Sequence, residues 1–153
     1  NELFELQLTK SELEKYASQL GSDCPFFIEN KPRYVTGTGF EFADIEVNLK
    51  GKFLALTNPN IHVGTKEAYN QIKPKASEIS IPEILKEPLS TWNSRLKNDF
   101  ETSVFPLQPD IAALKDSFYG AGAIYASMTG SGATVYGIFE EAPSFTVDKL
   151  ITL

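Results

Sequence analysis

Cysteine and histidine are almost missing from this chain, with one of each, Cys24 and His62, among 153 residues. A single cysteine cannot close an internal disulfide, and one cysteine with one histidine leaves no framework for zinc or an iron–sulfur cluster. Basic residues are also short: 14 Lys and Arg face 20 Asp and Glu, for a net charge of −6 and a pI of about 4.8. Non-specific nucleic-acid binding needs a basic face that displaces counterions, so that class is disfavoured. No stretch approaches the ~18 to 20 consecutive apolar residues of a membrane helix. No basic-then-apolar signal segment opens the chain. These absences lead to the expectation of a cytoplasmic protein with neither a membrane nor a nucleic-acid partner. An acidic chain can still bind a phosphorylated ligand, because backbone N–H groups can supply the positive pole.

What is present is ordinary for a globular domain: 42% hydrophobic and 22% charged residues, which excludes a disordered tail. The length allows one domain, or one domain and a fragment. The chain begins with Asn1, not Met, and reads as a piece of a longer protein. Leu3, Phe4, Leu6 and Leu8 read as the end of a helix. Thr9 and Glu12 have capping-box spacing, and Leu13, Tyr16, Ala17 and Leu20 form one helical face, with Gly21 as a left-handed stop. Arg33 to Phe42 reads as two strands around Thr36–Gly37–Thr38–Gly39. Further strands are expected over Asp44–Leu49 and Lys52–Leu56. Thr65 can cap a helix that Pro74 ends, and Pro82 sits where a first-turn proline belongs. Leu89, Trp92 and Leu96 continue helical spacing. Asp110 to Phe118 reads as a helix with Ile111, Leu114 and Phe118 inward. Ile124–Met128 and Ala133–Phe139 read as a hairpin around a glycine turn. The order predicts an α+β fold, with helices on one face of an antiparallel sheet.

Two loops can carry chemistry. Asp23, in Gly21–Ser22–Asp23–Cys24–Pro25, is either a turn aspartate bonding its own downstream N–H groups or a carboxylate that orients or deprotonates a hydroxyl. Thr129–Gly130–Ser131–Gly132 is either a tight hairpin turn or a backbone cradle for an anion. Thr36–Gly37–Thr38–Gly39 reads more simply as a hairpin loop. His62 reads as a surface residue, and Cys24 as a small hydrophobe. Asp99 and Glu101 read as a solvated helix face, and Lys73, Lys75, Lys86 and Lys97 as dispersed charges. No metal site is expected.

Taken together, these segments resemble a known family. Gly21–Ser22–Asp23–Cys24–Pro25–Phe26–Phe27 is similar to the Gly-x-Asp-x-Pro-Phe-Phe signature of 4-diphosphocytidyl-2-C-methyl-D-erythritol kinases. Thr36 to Gly39 resembles the Gly-x-Gly turn that follows it. Asn58–Pro59 through Thr65 to Ala68–Tyr69 resembles the family's loop before its substrate-side helix. Asn98–Asp99–Phe100–Glu101 with Val104–Phe105–Pro106 resembles its Asn-Asp-Phe-Glu stretch. Met128 to Ala133 resembles the third motif of the galactokinase–homoserine–mevalonate–phosphomevalonate kinase superfamily.

The resemblance implies a small-molecule kinase that transfers the γ-phosphoryl of ATP, with Mg2+, to the 2-hydroxyl of 4-(cytidine 5′-diphospho)-2-C-methyl-D-erythritol. That step serves non-mevalonate isoprenoid synthesis, in the cytoplasm or in a plastid stroma. The family's lobes imply that residues 1–45 are the remnant of a ribosomal-protein-S5-like lobe. Residues 46–153 are then a ferredoxin-like α/β-sandwich lobe. Asp23 is the implied catalytic base, Thr65 a substrate contact, and Thr129, Gly130, Ser131 and Gly132 the support of the phosphate site. The family's lysine and Gly-Leu-Gly-Gly-Gly-Ser-Ser loop have no counterpart here. The expectation is therefore a piece that is inactive alone, holds no tightly bound cofactor, and self-associates or rearranges near Leu3 to Leu8. Two alternatives stay open: another kinase of the superfamily, or a non-catalytic α+β interaction module.

Overall fold

The structure is a computed structural model that describes residues 1–37, 39, 41–73 and 79–153. It divides into two compact units, Asn1–Val47 and Asn48–Leu153. Among the described residues no helix is long and apolar enough to cross a membrane. Pro74 and Lys75, and Thr38 of the first glycine turn, lie outside the described residues.

In the first unit, α1 (Lys10–Leu20) begins with the capping box read from Thr9 and Glu12. The Thr9 N–H donates to Glu12 Oε2 at 2.8 Å and the Glu12 N–H to Thr9 Oγ1 at 3.3 Å. The Thr9 hydroxyl and then its N–H hold the Glu12 carboxyl below its ordinary value. Of the apolar face expected on α1, Ala17 is buried, while Tyr16 and Leu20 stand exposed. The left-handed stop expected at Gly21 does not form. Its φ of 169° is extended backbone, and it ends the helix by donating its N–H to the Ala17 carbonyl at 3.3 Å. Phe26–Glu29 forms a short α2. Strands β1 (Arg33–Thr36) and β2 (Glu41–Asp44) pair antiparallel as a hairpin. The Arg33 guanidinium ties this unit together, reaching both Glu29 and Asp44, while Lys10 reaches Glu29 at 2.8 Å.

The helix end expected at Leu3 to Leu8 is absent. Residues 2–5 form a turn, and Leu3, Phe4 and Leu6 are exposed. The Asn1 side chain clamps this segment onto itself, donating to the Leu8 carbonyl and accepting the Leu8 N–H, each at 3.0 Å. Apolar periodicity marks a helix only where the helix has something to pack against, and here the local polar clamp wins. The strand expected over Asp44–Leu49 shrinks to Asp44, the last residue of β2.

The second unit holds most of the core. Its elements are β3 (Phe53–Thr57), α3 (Thr65–Asn70), α4 (Ile81–Ile84), a 3-10 turn (Leu89–Thr91), α5 (Trp92–Arg95), α6 (Phe100–Val104), α7 (Pro109–Gly120), β4 (Tyr125–Met128), β5 (Val135–Phe139) and β6 (Lys149–Thr152). The four strands form one antiparallel sheet in the order β4-β5-β3-β6. Numbered within this unit and read from the β6 edge, the order is 4-1-3-2, an antiparallel sheet in an α+β fold as expected. In the order observed, the segment between β5 and β6 carries no helix. The hairpin read from Ile124 to Phe139 is β4–β5, with Met128 opposite Val135. Pro82 lies in the first turn of α4, as read. The helical run expected from Leu89 to Leu96 is broken into the 3-10 turn and α5. The Trp92 indole N–H bonds the Glu87 carbonyl at 3.2 Å, and its ring meets Tyr125 edge to face.

Helix α7 packs on β4 and β5 through Ile111 and Phe118, both fully buried, as its spacing predicted. A glycine makes that close approach possible. A Cβ on Gly137 would lie 2.4 Å from Phe118 Cδ1. Gly137→Ala should therefore force the Phe118 ring and α7 off the sheet. The expected loss is about 3 kcal/mol, the scale of overpacking a core, read as a lower urea midpoint for the second unit. An unchanged midpoint would mean the ring has room to move.

Candidate functional site

Strand β4 sits at one edge of its sheet, yet all four of its residues are buried. An edge strand has N–H and C=O groups with no strand to pair them, and buried ones must find partners. Here side chains supply them. The Tyr119 hydroxyl both donates to the Ala126 carbonyl and accepts the Ala126 N–H, each at 3.1 Å. Glu101 Oε1 accepts the Met128 N–H at 2.9 Å and the Ser127 hydroxyl at 3.0 Å. The Asn98 side-chain amide donates to the Met128 and Gly130 carbonyls, each at 2.8 Å. Its oxygen accepts the Phe100 N–H at 3.0 Å.

Glu101 is thus not part of the solvated face expected of it. Its exposure is 9%, and its second oxygen accepts from the Lys115 ammonium at 2.5 Å. The neighbouring Asp99 is exposed, as read. The two carboxylates differ because α6 turns Glu101 toward β4. Sequence reasoning missed Glu101 as a working group. The available signal was its place three residues after Asn98, with Lys115 on the next helix.

The strand held in this way leads directly into the glycine turn. The Thr129 N–H bonds the Thr134 carbonyl at 2.9 Å, and the Gly132 N–H bonds the Thr129 carbonyl at 3.1 Å. Gly130 and Gly132 have φ of 56° and 100°, left-handed values that favour glycine. A Cβ on Gly132 would meet Met128 Sδ at 3.0 Å and Val63 Cγ2 at 3.4 Å, so the Asn58 to Gly64 loop lies against the turn. Asn58 Nδ2 also donates to Thr134 Oγ1 at 3.2 Å. Among the described residues the N–H groups of Gly130 and Ser131 have no hydrogen-bond partner. The turn is both readings at once: a hairpin turn, and a pair of adjacent free donors.

Beside the turn is an open cleft of about 260 Å³, lined by Lys97, Asn98, Tyr125, Ser127, Thr129 and Tyr136 among others. Burial raises both tyrosine phenols above their ordinary value, with the charges of neighbouring groups adding to it. Both therefore stay neutral near pH 7. The Tyr125 hydroxyl donates to the Leu96 carbonyl at 3.1 Å.

Thr65 is the first residue of α3 and not its cap. Gly64 holds the cap position and no side chain caps the helix. The Thr65 side chain is exposed, beside the loop that touches Gly132. The structure thus brings Thr65's loop and residues Thr129 to Gly132 together in the second unit. Asp23 stands in the first unit, exposed, with the Ser22 hydroxyl 3.3 Å from its Oδ1. His62 is exposed, as read, and Cys24 is half-buried with a free thiol. Among the described residues no three His, Cys, Asp or Glu side chains are grouped to hold a metal ion.

Residues 80–151 match the family described as GHMP kinases C terminal. The chain is also similar to more particular proteins. It is 45% identical, over 99% of its own length and 56% of the relative's, to 4-diphosphocytidyl-2-C-methyl-D-erythritol kinase of Parabacteroides distasonis. It is 50% identical, over 91% of its length and 52% of the relative's, to the protein of the same name in Azobacteroides pseudotrichonymphae. The chain therefore spans about half the length of the curated relatives it matches. Its fold is that of a crystal structure of 4-(cytidine 5′-diphospho)-2C-methyl-D-erythritol kinase, with a TM-score of 0.69 at 22% identity, covering 89% of this chain and 50% of that one. A homoserine kinase from Cytophaga hutchinsonii is also similar, with a TM-score of 0.64 at 16% identity over 90% of this chain and 50% of that one.

Two outcomes follow for stability. Lys115→Met leaves the buried Glu101 carboxylate uncompensated and should cost about 3 kcal/mol, read by urea unfolding. A change within error would show that water already compensates Glu101. The raised phenols set an alkaline limit. Their stabilisation is complete below the unfolded phenol value of about 10 and is lost as pH rises from there toward the folded values. Urea midpoints should fall over that window, and less steeply in Tyr125→Phe.

Proposed function

We propose that this chain supplies the C-terminal part of an ATP-dependent small-molecule kinase. Its acceptor is the 2-hydroxyl of 4-(cytidine 5′-diphospho)-2-C-methyl-D-erythritol. The observation that carries this reading is the 45–50% identity to kinases of that one name, over a span that includes both the Asp23 loop and the glycine turn.

The chemistry of the residues supports it. Phosphoryl transfer depends mainly on positioning and on neutralising charge at the transferred group. The free N–H groups of Gly130 and Ser131 suit phosphate oxygens. The Asp23 carboxylate, open to solvent, suits the accepting hydroxyl, which it orients or deprotonates. The exposed Thr65 hydroxyl suits a substrate contact. Magnesium would arrive on the nucleotide phosphates and neutralise their charge. The homoserine kinase likeness is one of fold, so the choice of alcohol rests on the sequence relatives.

The test is phosphorylation of the cytidine-diphosphate methylerythritol by the longer polypeptide that carries this chain, with wild type beside Asp23→Asn. Activity should fall by about 10²-fold or more, the scale of a lost general base. The chain alone should turn over no ATP. A wild type that never phosphorylates this alcohol would sink the substrate reading.

A further inference from the structure

We propose that Asn98 is a positioning residue that aims the glycine turn's Ser131 N–H at a phosphate, with Glu101 as its anchor. The proposal rests on the reading above that this turn faces phosphate oxygens. The geometry is that of the peptide plane. In a trans peptide the C=O of one residue and the N–H of the next point in opposite directions. The Asn98 amide holds the Gly130 carbonyl at 2.8 Å, so the Ser131 N–H is turned to the far side of that plane. It holds the Met128 carbonyl at 2.8 Å in the same way, turning the Thr129 N–H to the Thr134 carbonyl at 2.9 Å. One side chain with two hydrogens thus sets two alternate peptide planes of the turn, and the plane between them is held by the Gly132 N–H on the Thr129 carbonyl.

The Asn98 side chain is itself fixed. Its oxygen accepts the Phe100 N–H at 3.0 Å, so the amide's orientation is set by the start of α6. That start is pinned in turn to β4, because Glu101 Oε1 accepts the Ser127 hydroxyl and the Met128 N–H. The Lys115 ammonium takes only the other oxygen, Oε2, at 2.5 Å. The anchoring contacts to β4 are made through Oε1, and the ion pair with Lys115 holds the carboxylate in place for them.

The test is a titration of the chain with inorganic pyrophosphate, followed by amide resonances in ¹H–¹⁵N spectra. In the wild type the Gly130 and Ser131 amides should shift saturably. Asn98→Asp keeps the acceptor to Phe100 and removes both donors. It should weaken the pyrophosphate response by about tenfold, the scale of a hydrogen bond to a charged group. Asn98→Ala, which adds no charge, should weaken it to a similar degree, and serves alone if the aspartate variant does not fold. Glu101→Ala, which removes the acceptor of the Met128 N–H, should weaken it as well. The urea midpoint of Asn98→Ala should not track its loss of binding, as it would for a merely structural residue. A wild type whose two amides ignore pyrophosphate overturns the proposal. So does an effect confined to Asn98→Asp, which would be charge repulsion. If the longer polypeptide fails to phosphorylate its alcohol while these titrations behave as stated, the substrate reading falls and the role of Asn98 stands.

Discussion

A buried strand at the edge of a sheet must find partners for its outward backbone groups, and in this protein the functional architecture grows from that requirement. Among the described residues strand β4 has β5 on one side and no strand on the other, while every residue in it is buried. A buried N–H or C=O without a partner costs on the order of a full hydrogen bond. Tyr119 from α7, Glu101 from α6 and Asn98 just before α6 meet the groups of Ala126 and Met128. The same bonds that close the edge also place both helices and fix where the glycine turn leaves the strand. Edge protection and site construction are one set of contacts.

The two units meet their stability needs differently. The second holds a continuous apolar cluster built on Ile111, Phe118, Ala126, Val135 and Phe139. The first buries Ala17 and Pro25 and relies on the Arg33 and Lys10 ion pairs with Glu29 and Asp44. Arg33 and Glu29 are half-buried while Lys10 and Asp44 are exposed, and pairs with an exposed partner contribute little and weaken with salt. Asp23 therefore sits on the more weakly held of the two units, and the glycine turn on the more strongly held.

Local signals were legible in the sequence, and long-range ones were not. The Thr9–Glu12 capping box, the inward face of α7 and the β4–β5 hairpin depend on residues a few positions apart, and spacing revealed them. Glu101 was misread because nothing near it says that β4 will lie beside α6. Its partners are Ser127, Met128 and Lys115, all distant in sequence. Thr65 was misread as a cap because a threonine before an apolar run fits that role, while the cap position falls one residue earlier, at Gly64. Leu3 to Leu8 was read as a helix end from its apolar content, and Leu3, Phe4 and Leu6 stand exposed instead. The candidate loops at Asp23 and Thr129 were visible as motifs. How Asn98 and Glu101 hold the second of them required the fold.

The sheet order also governs when this unit can acquire structure. Strand β3 is the first strand of its sheet to be synthesised, yet its two neighbours come late: Phe53 lies opposite Phe139 of β5 and Thr152 of β6. Contacts that far apart close large loops and form slowly. During synthesis Phe53, Leu54 and Leu56 emerge with no strand to pair them, and the helices made next have no sheet to cover. A nascent chain that ends before β5 leaves β3 with neither of its neighbouring strands, and one that ends before β6 leaves it with one.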